Sequence, residues 1–264
     1  MYIPFGFNSL STAGVPDTGL VTWLTPQSYV GSGSVWRDVT ANLNATVSGS
    51  LTSAGPDGWT FTSGTYLDFG TGSYNFAANQ QTIIMYGSLT DNDAVQTIWS
   101  KGGSDQFWWV PFTGSFVCSD SSRGAWSGSQ FNISFNGGQF SACTTTPDTP
   151  WSGFSNVNPY NYNPALSVGK QMYTTTNAPF NAIPSSIQGV SLYINETRLT
   201  GGPSGFGEGL NNSNPMYFGR GVTDPGGKNW PMISLPTVSD ILIYSRAITP
   251  AEVVSIYNYL VLNR

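Results

Sequence analysis

The sequence predicts an all-β domain, a sandwich or barrel with one helix at its C-terminal end. Short runs of apolar and aromatic residues alternate with clusters of Gly, Asn, Pro, Ser and Asp, which is the pattern of such folds. Aromatic residues make up 14% of the chain and supply the apolar area that a core needs. The 264 residues fit one domain, because β-sandwiches often run past about 200 residues undivided.

The apolar and aromatic runs have the length of β-strands, and turn-forming residues separate them. Asn136-Gly137-Gly138 predicts a tight hairpin between two of these strands. Gly55-Pro56-Asp57-Gly58 predicts a further turn. The predicted strands are residues 20–25, 59–62, 66–69, 82–89, 97–101, 106–112, 116–119, 131–135, 139–143, 167–173, 190–195, 216–219 and 238–244.

The C-terminal segment predicts an amphipathic helix. Thr249 is a favoured N-cap residue, Pro250 suits the first helical position, and Glu252 stands where a capping box has its carboxylate. An apolar stripe with helical spacing follows, formed by Val253, Ile256, Tyr257 and Leu260. We expect this stripe to lie against the sandwich, with Asn258 facing outward.

Two stretches of the chain have no regular pattern. Residues 1–18 contain Gly and Pro with little periodicity, and we expect them to form an arm that anchors the protein to a partner. Residues 19–264 are expected to form the sandwich itself. Residues 144–164 hold four prolines among aromatic residues. Long irregular loops in a compact domain are often functional, so this loop is expected to make contacts.

Four segments, in the right order along the chain, resemble concanavalin A-like, laminin-G-like domains. The first two resemble the opening strand and the loop after it: Gly19-Leu20-Val21-x-Trp23-Leu24 and Trp36-x-Asp38-x-Thr40-x-Asn42-x-Asn44-Ala45-Thr46. The third, Ser191-Leu192-Tyr193-Ile194-Asn195, is similar to a strand that usually ends in Tyr-x-Asn-Gly. The fourth resembles the closing strand and helix: Val238-Ser239-Asp240-Ile241-Leu242-Ile243-Tyr244-Ser245-Arg246-Ala247-Ile248-Thr249, then Glu252 and Tyr259-Leu260.

The resemblance implies a two-sheet antiparallel jelly-roll sandwich over roughly residues 19–262. The sequence departs from the family pattern at Thr25, where Asp is common, and at Ala41, Leu43 and Glu196, where Gly is common. The resemblance implies little about function, because lectins, glucanases and structural modules share this fold.

The composition excludes several classes of function. The chain has no histidine, which excludes Ser-His-Asp and Cys-His catalytic sites and histidine-ligated metal centres. Nine basic residues are scattered and outnumbered by fourteen acidic ones, so they form no surface for nucleic acid. No apolar run reaches the ~20 residues of a membrane-spanning helix.

Glycoside hydrolysis is the enzymatic activity most natural to the resembled fold, and it needs a pair of carboxylates. Glucanases of this fold carry Glu-x-Asp-x-x-Glu on one strand. The three glutamates of this chain, Glu196, Glu208 and Glu252, lie outside any such motif. The sequence therefore predicts that the protein is not an enzyme.

Acidic residues in loops raise the question of a metal. Asp91-Asn92-Asp93 offers alternating oxygen ligands that suit calcium, so Asp91 and Asp93 are candidate ligands. The alternative is that these residues only form a turn. No cofactor is expected to be required, and Ca²⁺ is the one candidate. Asp38 and Asp240 are expected to be structural and to bind backbone amides or Arg246.

Large aromatic residues stand among Ser, Asn and Gly in the middle of the chain. Rigid rings provide contact area and small polar groups provide hydrogen bonds, a combination typical of recognition surfaces. We expect these rings to stack on sugars or to contact a neighbouring subunit; the alternative is that they fold back over the sandwich. The candidate contact residues are Trp108, Trp126, Trp151, Phe154, Tyr160 and Tyr162.

The two cysteines, Cys118 and Cys143, fall on predicted strands near the Asn136-Gly137 hairpin. Their placement leaves two alternatives open, a disulfide between them or two buried free thiols.

The predicted surface is polar and weakly charged, since charged residues make up only 9% of the chain. Met1-Tyr2-Ile3-Pro4-Phe5 has no basic segment and starts no long apolar run, so it does not resemble a secretion signal. Together these features predict a non-enzymatic structural protein at the surface of a virion: a capsid decoration, head-fibre or tail component. Its expected partners are other virion proteins, copies of itself and host glycans.

Two other functions remain open at this point. The alternative is a secreted or cell-surface carbohydrate-binding module, located outside the cell, in which the aromatic residues stack on sugar rings. The third is a glycoside hydrolase, which requires a pair of carboxylates in a groove, about 5–10 Å apart.

Overall fold

The computed structural model describes residues 14–62, 64–71, 80–88, 95–101, 114–121, 128–135, 138–143, 170–178, 189–199, 215–220 and 237–263. Within these ranges the chain forms sixteen strands and one α-helix, α1 (Pro250–Asn263). The strands are β1 (Leu20–Leu24), β2 (Val35–Trp36), β3 (Ala45–Ser48), β4 (Leu51–Ser53), β5 (Trp59–Phe61), β6 (Tyr66–Asp68), β7 (Gln81–Ser88), β8 (Val95–Lys101), β9 (Gly114–Ser121), β10 (Gly128–Phe135), β11 (Gly138–Cys143), β12 (Gln171–Ala178), β13 (Gly189–Ile194), β14 (Thr197–Leu199), β15 (Met216–Phe218) and β16 (Thr237–Tyr244).

The strands form two packed sheets. The first has the order β14-β13-β12-β7-β16-β5-β4, with β1 paired to β16, and the second has the order β11-β10-β9-β8-β15-β6-β3-β2. Every described pairing between strands is antiparallel. The predicted all-β fold of two antiparallel sheets is therefore confirmed.

Apolar side chains of the inner sheet faces form the main core. In β6, Leu67 is buried while Tyr66 and Asp68 on either side of it are half-buried. This period of two is expected of a strand with only one face in the core. The largest fully buried side chains of this core are Trp36, Trp99, Tyr173 and Phe218.

A second core lies between the outer face of the first sheet and α1. Val253, Ile256 and Leu260 of the helix are fully buried and pack with Trp23 and Leu242 of the sheet. Because this sheet is covered on both faces, β7 and β16 are buried almost along their whole length. The predicted helix and its apolar stripe are confirmed.

The helix begins with the predicted capping box. The backbone N–H of Thr249 donates to Oε2 of Glu252 at 2.7 Å, and the backbone N–H of Glu252 donates to Oγ1 of Thr249 at 3.3 Å. Arg246 holds the same carboxylate through two bonds, Nη1 to Oε2 at 2.9 Å and Nη2 to Oε1 at 2.5 Å. Asn258 is exposed on the far side, as expected. Cap and ion pair together join α1 to the end of β16.

The Arg246–Glu252 pair predicts a dependence of stability on pH. The guanidinium and the Thr249 backbone N–H hold the pKa of Glu252 below its ordinary value of 4.5. A carboxyl pKa that is lowered by folding adds stability above the unfolded-state pKa, and this stability is lost as pH falls through the folded-state pKa. We expect Glu252→Gln to unfold at a lower temperature than the native protein near neutral pH. This difference should shrink below about pH 4.5.

Calorimetry of both proteins across that pH range measures the effect. Glu196→Gln is the matched control, because Glu196 is an exposed glutamate at the hairpin between β13 and β14. A difference for Glu252→Gln that stays constant down to about pH 3, roughly 1 unit below the pKa of a free glutamate, would contradict the assigned role of the carboxylate.

The structure differs from the predicted strands in two ways. The strand expected at residues 167–173 is β12 at Gln171–Ala178, which contains Thr174-Thr175-Thr176-Asn177, buried throughout. The sequence pattern missed it because these residues are polar, although they lie in the middle of a sheet covered on both faces. Four short strands, β2, β3, β4 and β14, were not predicted either. The predicted strand at residues 106–112 lies outside the described residues.

In the part of the chain that the structure describes, α1 is too short and insufficiently apolar to cross a membrane. The division into an arm at residues 1–18 and a body at 19–264 stays a prediction, because residues 1–13 lie outside the described ranges.

Candidate functional site

The six aromatic residues expected to make contacts lie outside the described ranges: Trp108, Trp126, Trp151, Phe154, Tyr160 and Tyr162. Their role in binding stays a prediction. The candidate calcium ligands Asp91 and Asp93 also lie outside these ranges. Among the described residues, no three His, Cys, Asp or Glu side chains are grouped to hold a metal ion.

The two cysteines lie on strands that are separated by β10. Cys118 of β9 pairs with Phe131, and Cys143 of β11 pairs with Gln130. Neighbouring strands are about 4.8 Å apart, which places the two Cα atoms about 10 Å apart, whereas disulfide-bonded Cα atoms lie within about 7 Å. The disulfide between Cys118 and Cys143 and the alternative of two free thiols both stay predictions.

Asp38 is structural, as expected. Its Oδ1 accepts hydrogen bonds from the backbone N–H groups of Trp23 (2.8 Å) and Thr40 (2.9 Å). Its Oδ2 accepts from the N–H groups of Asn42 (3.0 Å) and Leu43 (2.9 Å) and from the Thr40 hydroxyl (2.6 Å). Five donors therefore surround the carboxylate, which ties the loop at residues 38–43 to β1.

Asp240 is structural as well, as expected. It is fully buried on β16, and its Oδ1 accepts a hydrogen bond from Nε1 of Trp23 at 2.9 Å. Arg246 binds Glu252, because the helix cap brings that carboxylate within reach of the end of β16.

The outer face of the second sheet presents a different kind of surface. Tyr66 and Asp68 of β6 and Tyr217 of β15 are half-buried there, and Arg220 lies two residues after the end of β15. The two strands pair so that Tyr217 stands opposite Asp68. We call these four residues the tyrosine–arginine cluster.

The guanidinium of Arg220 lies over both tyrosine rings. Its Cζ atom is 4.7 Å from the ring centroid of Tyr66 and 5.2 Å from that of Tyr217. The rings themselves meet edge to face, with centroids 5.5 Å apart and planes at 90°. Cations are attracted to the negative faces of aromatic rings, and two rings hold this one in place.

The backbone also fixes Arg220. Its carbonyl oxygen accepts a hydrogen bond from the Ser100 hydroxyl of β8 at 2.6 Å. The preceding residue, Gly219, has φ +82°, a conformation that residues with a Cβ seldom adopt. The turn at Gly219 and the hydrogen bond from Ser100 therefore fix the backbone position from which the Arg220 side chain extends.

The charges in the cluster act on Tyr217 in opposite directions. Burial raises the pKa of the Tyr217 hydroxyl, the carboxylate of Asp68 raises it further, and the Arg220 cation lowers it. One carboxylate oxygen of Asp68, Oδ1, accepts a hydrogen bond from the N–H of Gly70 at 2.7 Å. The cluster thus combines two aromatic faces with a cation and an anion on one surface.

The sequence did not single out this cluster. Tyr66 and Tyr217 both fell in predicted strands, but about half of the chain separates them. The available signal was the alternation of Tyr66 and Asp68 around the apolar Leu67, which places both on the face opposite the core. Their meeting with Arg220 depends on the pairing of β6 with β15, and short strands do not reveal their partners.

Comparisons with known proteins bear on the fold. Neither a family model nor a curated protein matches the sequence. A sialidase of Trypanosoma rangeli is similar in structure, with a TM-score of 0.58 at 17% identity over 94% of this chain and 34% of the sialidase chain. The chain thus spans about a third of the length of the sialidases that it matches.

Two further solved structures are similar over most of this chain. Domain 4 of AbnA, a GH43 extracellular arabinanase of Geobacillus stearothermophilus, in complex with arabinotriose, has a TM-score of 0.57 at 13% identity over 92% of this chain and 100% of that domain. The binding domain of Paraclostridial Mosquitocidal Protein 1 has a TM-score of 0.53 at 15% identity over 92% of this chain and 52% of that chain.

At these identities the likeness shows the fold, which is consistent with a concanavalin A-like sandwich. The expectation that the protein is not an enzyme is contradicted, because the solved structures that it resembles include sialidases and part of an arabinanase. Lack of the Glu-x-Asp-x-x-Glu motif argued only against one glucanase arrangement and left other glycoside hydrolases open.

Proposed function

We propose that this sandwich is a carbohydrate-binding domain and that the tyrosine–arginine cluster is its binding surface. The observation that carries the proposal is the position of the Arg220 guanidinium, 4.7 Å and 5.2 Å from the ring centroids of Tyr66 and Tyr217 on a half-buried sheet face. The three groups form one rigid surface before any ligand is bound.

The chemistry of the cluster suits a sugar ring. A pyranose or furanose presents C–H groups on its faces and hydroxyls around its edge, and half-buried tyrosine rings provide matching apolar area. The Arg220 guanidinium can donate a hydrogen bond to one sugar hydroxyl, and Oδ2 of Asp68 can accept a hydrogen bond from another. Rings that are already fixed lose little conformational entropy on binding.

The similar structures support this proposal over the virion structural role. The arabinanase domain that resembles nearly the whole chain was solved with arabinotriose, and the similar part of the mosquitocidal protein is a binding domain. Nothing in these comparisons supports a place in a capsid, fibre or tail. We therefore prefer the alternative drawn from the sequence, a secreted or cell-surface carbohydrate-binding module.

We further propose that the domain is of the laminin-G-like kind within this fold. The segments that resemble that family have structural roles here: Asp38 organises the loop after β1, and Arg246 and Glu252 join β16 to α1. A calcium site at Asp91 and Asp93 remains part of this proposal. Calorimetric titration of the metal-free protein with Ca²⁺ tests it.

The test of the proposed surface is Tyr217→Ala. The chain is screened against soluble polysaccharides, including arabinan, xylan, pectin and sialylated glycans, and the dissociation constant of the best ligand is measured by calorimetry. We expect Tyr217→Ala to weaken binding about 5- to 30-fold, because loss of a stacking ring costs about 1–2 kcal/mol.

Tyr257→Ala is the matched control, since Tyr257 is a half-buried tyrosine on α1, over the other sheet. It is expected to bind like the native chain. A panel in which no glycan binds, or a Tyr217→Ala variant that binds normally, would refute the proposal. Release of reducing ends from a bound glycan would show that the chain is also a hydrolase.

A further inference from the structure

Arg220 differs from the other arginines whose contacts the structure describes. Arg246 pairs through two bonds with Glu252, and Arg198 donates to the hydroxyl of Ser191 at 2.7 Å. The guanidinium of Arg220 makes no hydrogen bond or ion pair with any described residue. It lies over the rings of Tyr66 and Tyr217.

The missing partner is not explained by a lack of nearby acid. Asp68 stands opposite Tyr217 in the pairing of β6 with β15, and its charge acts on the Tyr217 hydroxyl. Yet Asp68 forms no salt bridge with Arg220, and its described hydrogen bond is to the N–H of Gly70. The cluster therefore contains a cation and an anion that form no salt bridge with each other.

The guanidinium of Arg220 lies beside the two rings through contacts that use no N–H group as a hydrogen-bond donor to a described residue. Its N–H donors lie at the edge of the guanidinium plane. An edge of this kind matches the two oxygens of a carboxylate in a bidentate pair. Lysine cannot form this pair, because its ammonium group is a single point of charge.

We infer that the ligand of this surface is a carboxylate-bearing glycan, with the sugar carboxylate bound in a bidentate pair by Arg220. This inference rests on the proposed carbohydrate-binding function and names the class of sugar. The ring of the acidic sugar lies against Tyr66 or Tyr217. Asp68 accepts a hydroxyl of the same sugar and, as a negative charge near the ligand carboxylate, weakens its binding.

The experiment compares acidic polysaccharides with their own neutral forms. Polygalacturonate, alginate, hyaluronan and polysialic acid are each tested beside the carboxyl-reduced derivative, which keeps the linkage and loses the charge. We expect at least one acidic form to bind about tenfold or more tightly than its reduced partner, since charge-assisted bonds are the stronger ones. A salt titration would be harder to interpret, because the chain has a net charge of −5 and salt also screens its general repulsion of an acidic glycan. The comparison of each acidic glycan with its carboxyl-reduced form avoids this problem.

Two variants then assign the charge effect to the cluster. Arg220→Lys keeps the positive charge but loses the planar guanidinium with its paired N–H donors. We expect this variant to bind the acidic form about tenfold more weakly. Asp68→Asn removes the repelling charge and keeps a similar shape, and we expect it to strengthen that binding several-fold. Arg198→Lys, on β14 of the first sheet, is the matched control and should change neither.

The outcomes separate this inference from the proposed function. If glycans bind but no acidic form exceeds its reduced partner, the surface recognises a neutral sugar and the inference is wrong. If an acidic form binds more tightly but Arg220→Lys leaves its affinity unchanged, Arg220 does not bind the carboxylate and the inference is also wrong. If no glycan of either set binds, or if Tyr217→Ala has no effect, the proposed function itself fails. Near-ultraviolet circular dichroism of each variant verifies that the fold is kept.

Discussion

Asp38→Ala is expected to lower the free energy of unfolding by about 3 kcal/mol or more. The carboxylate is only 6% exposed and accepts four backbone N–H groups, those of Trp23, Thr40, Asn42 and Leu43. Alanine would leave these donors without an acceptor, and each buried donor without a partner costs about 1–3 kcal/mol. Because Asn42 is exposed, water replaces part of the loss at that position. Urea denaturation at neutral pH measures the change.

Asp17→Ala is the control for this prediction. Asp17 is exposed, and its carboxylate accepts only the Thr18 hydroxyl at 3.4 Å, so its loss should change stability by about 0.5 kcal/mol or less. A loss of less than about 1 kcal/mol for Asp38→Ala would mean that the loop at residues 38–43 finds other acceptors. In that case the carboxylate would not be what ties this loop to β1.

Local patterns explain why some of the structure could be predicted from the sequence. The capping box involves Thr249 and Glu252, three residues apart, and the Asp38 loop closes on donors within five residues of it apart from Trp23. Strands such as β7 and β16 are runs of apolar residues because the sheet is covered on both faces. Spacing along the chain is enough to detect features of this kind.

Other features depend on contacts that spacing does not contain. The polar run at Thr174–Asn177 was not predicted as a strand, yet it lies buried in β12 between β7 and β13. Pairing with β7, from a distant part of the chain, decides this outcome.

The candidate site could be predicted from the sequence even less well than the fold. The sequence pointed to rings in the middle of the chain, such as Trp108 and Trp151, because unusual composition is visible without a fold. The tyrosine–arginine cluster has ordinary composition, and it becomes a site only when β6 pairs with β15 and brings Tyr66 beneath Arg220.

Gly58→Ala is the second substitution expected to have a large effect. A Cβ at this position would lie 2.2 Å from the carbonyl oxygen of Val238 and 2.9 Å from the Cα of Ser239, and both are backbone atoms of β16. The backbone angles of Gly58, φ 121° and ψ −144°, are also unfavourable for any other residue. We expect a loss of about 3 kcal/mol or more in the free energy of unfolding, because strain and overlap add.

Gly55→Ala, at the start of the same turn, separates the two causes. Gly55 also has a positive φ of +68°, but a Cβ there would meet nothing within 4 Å, so only backbone strain of about 1 kcal/mol is expected. Urea denaturation of both variants measures the difference, which contains the overlap with β16 and the extra backbone strain at Gly58. Equal losses would show that the Val238 carbonyl yields to the new methyl group. A larger loss for Gly58→Ala would show that this glycine lets the turn pack against β16. Asp57 of the turn is held there by two contacts: the Ser239 hydroxyl of β16 donates to its carbonyl oxygen, and Lys170 forms an ion pair with its carboxylate.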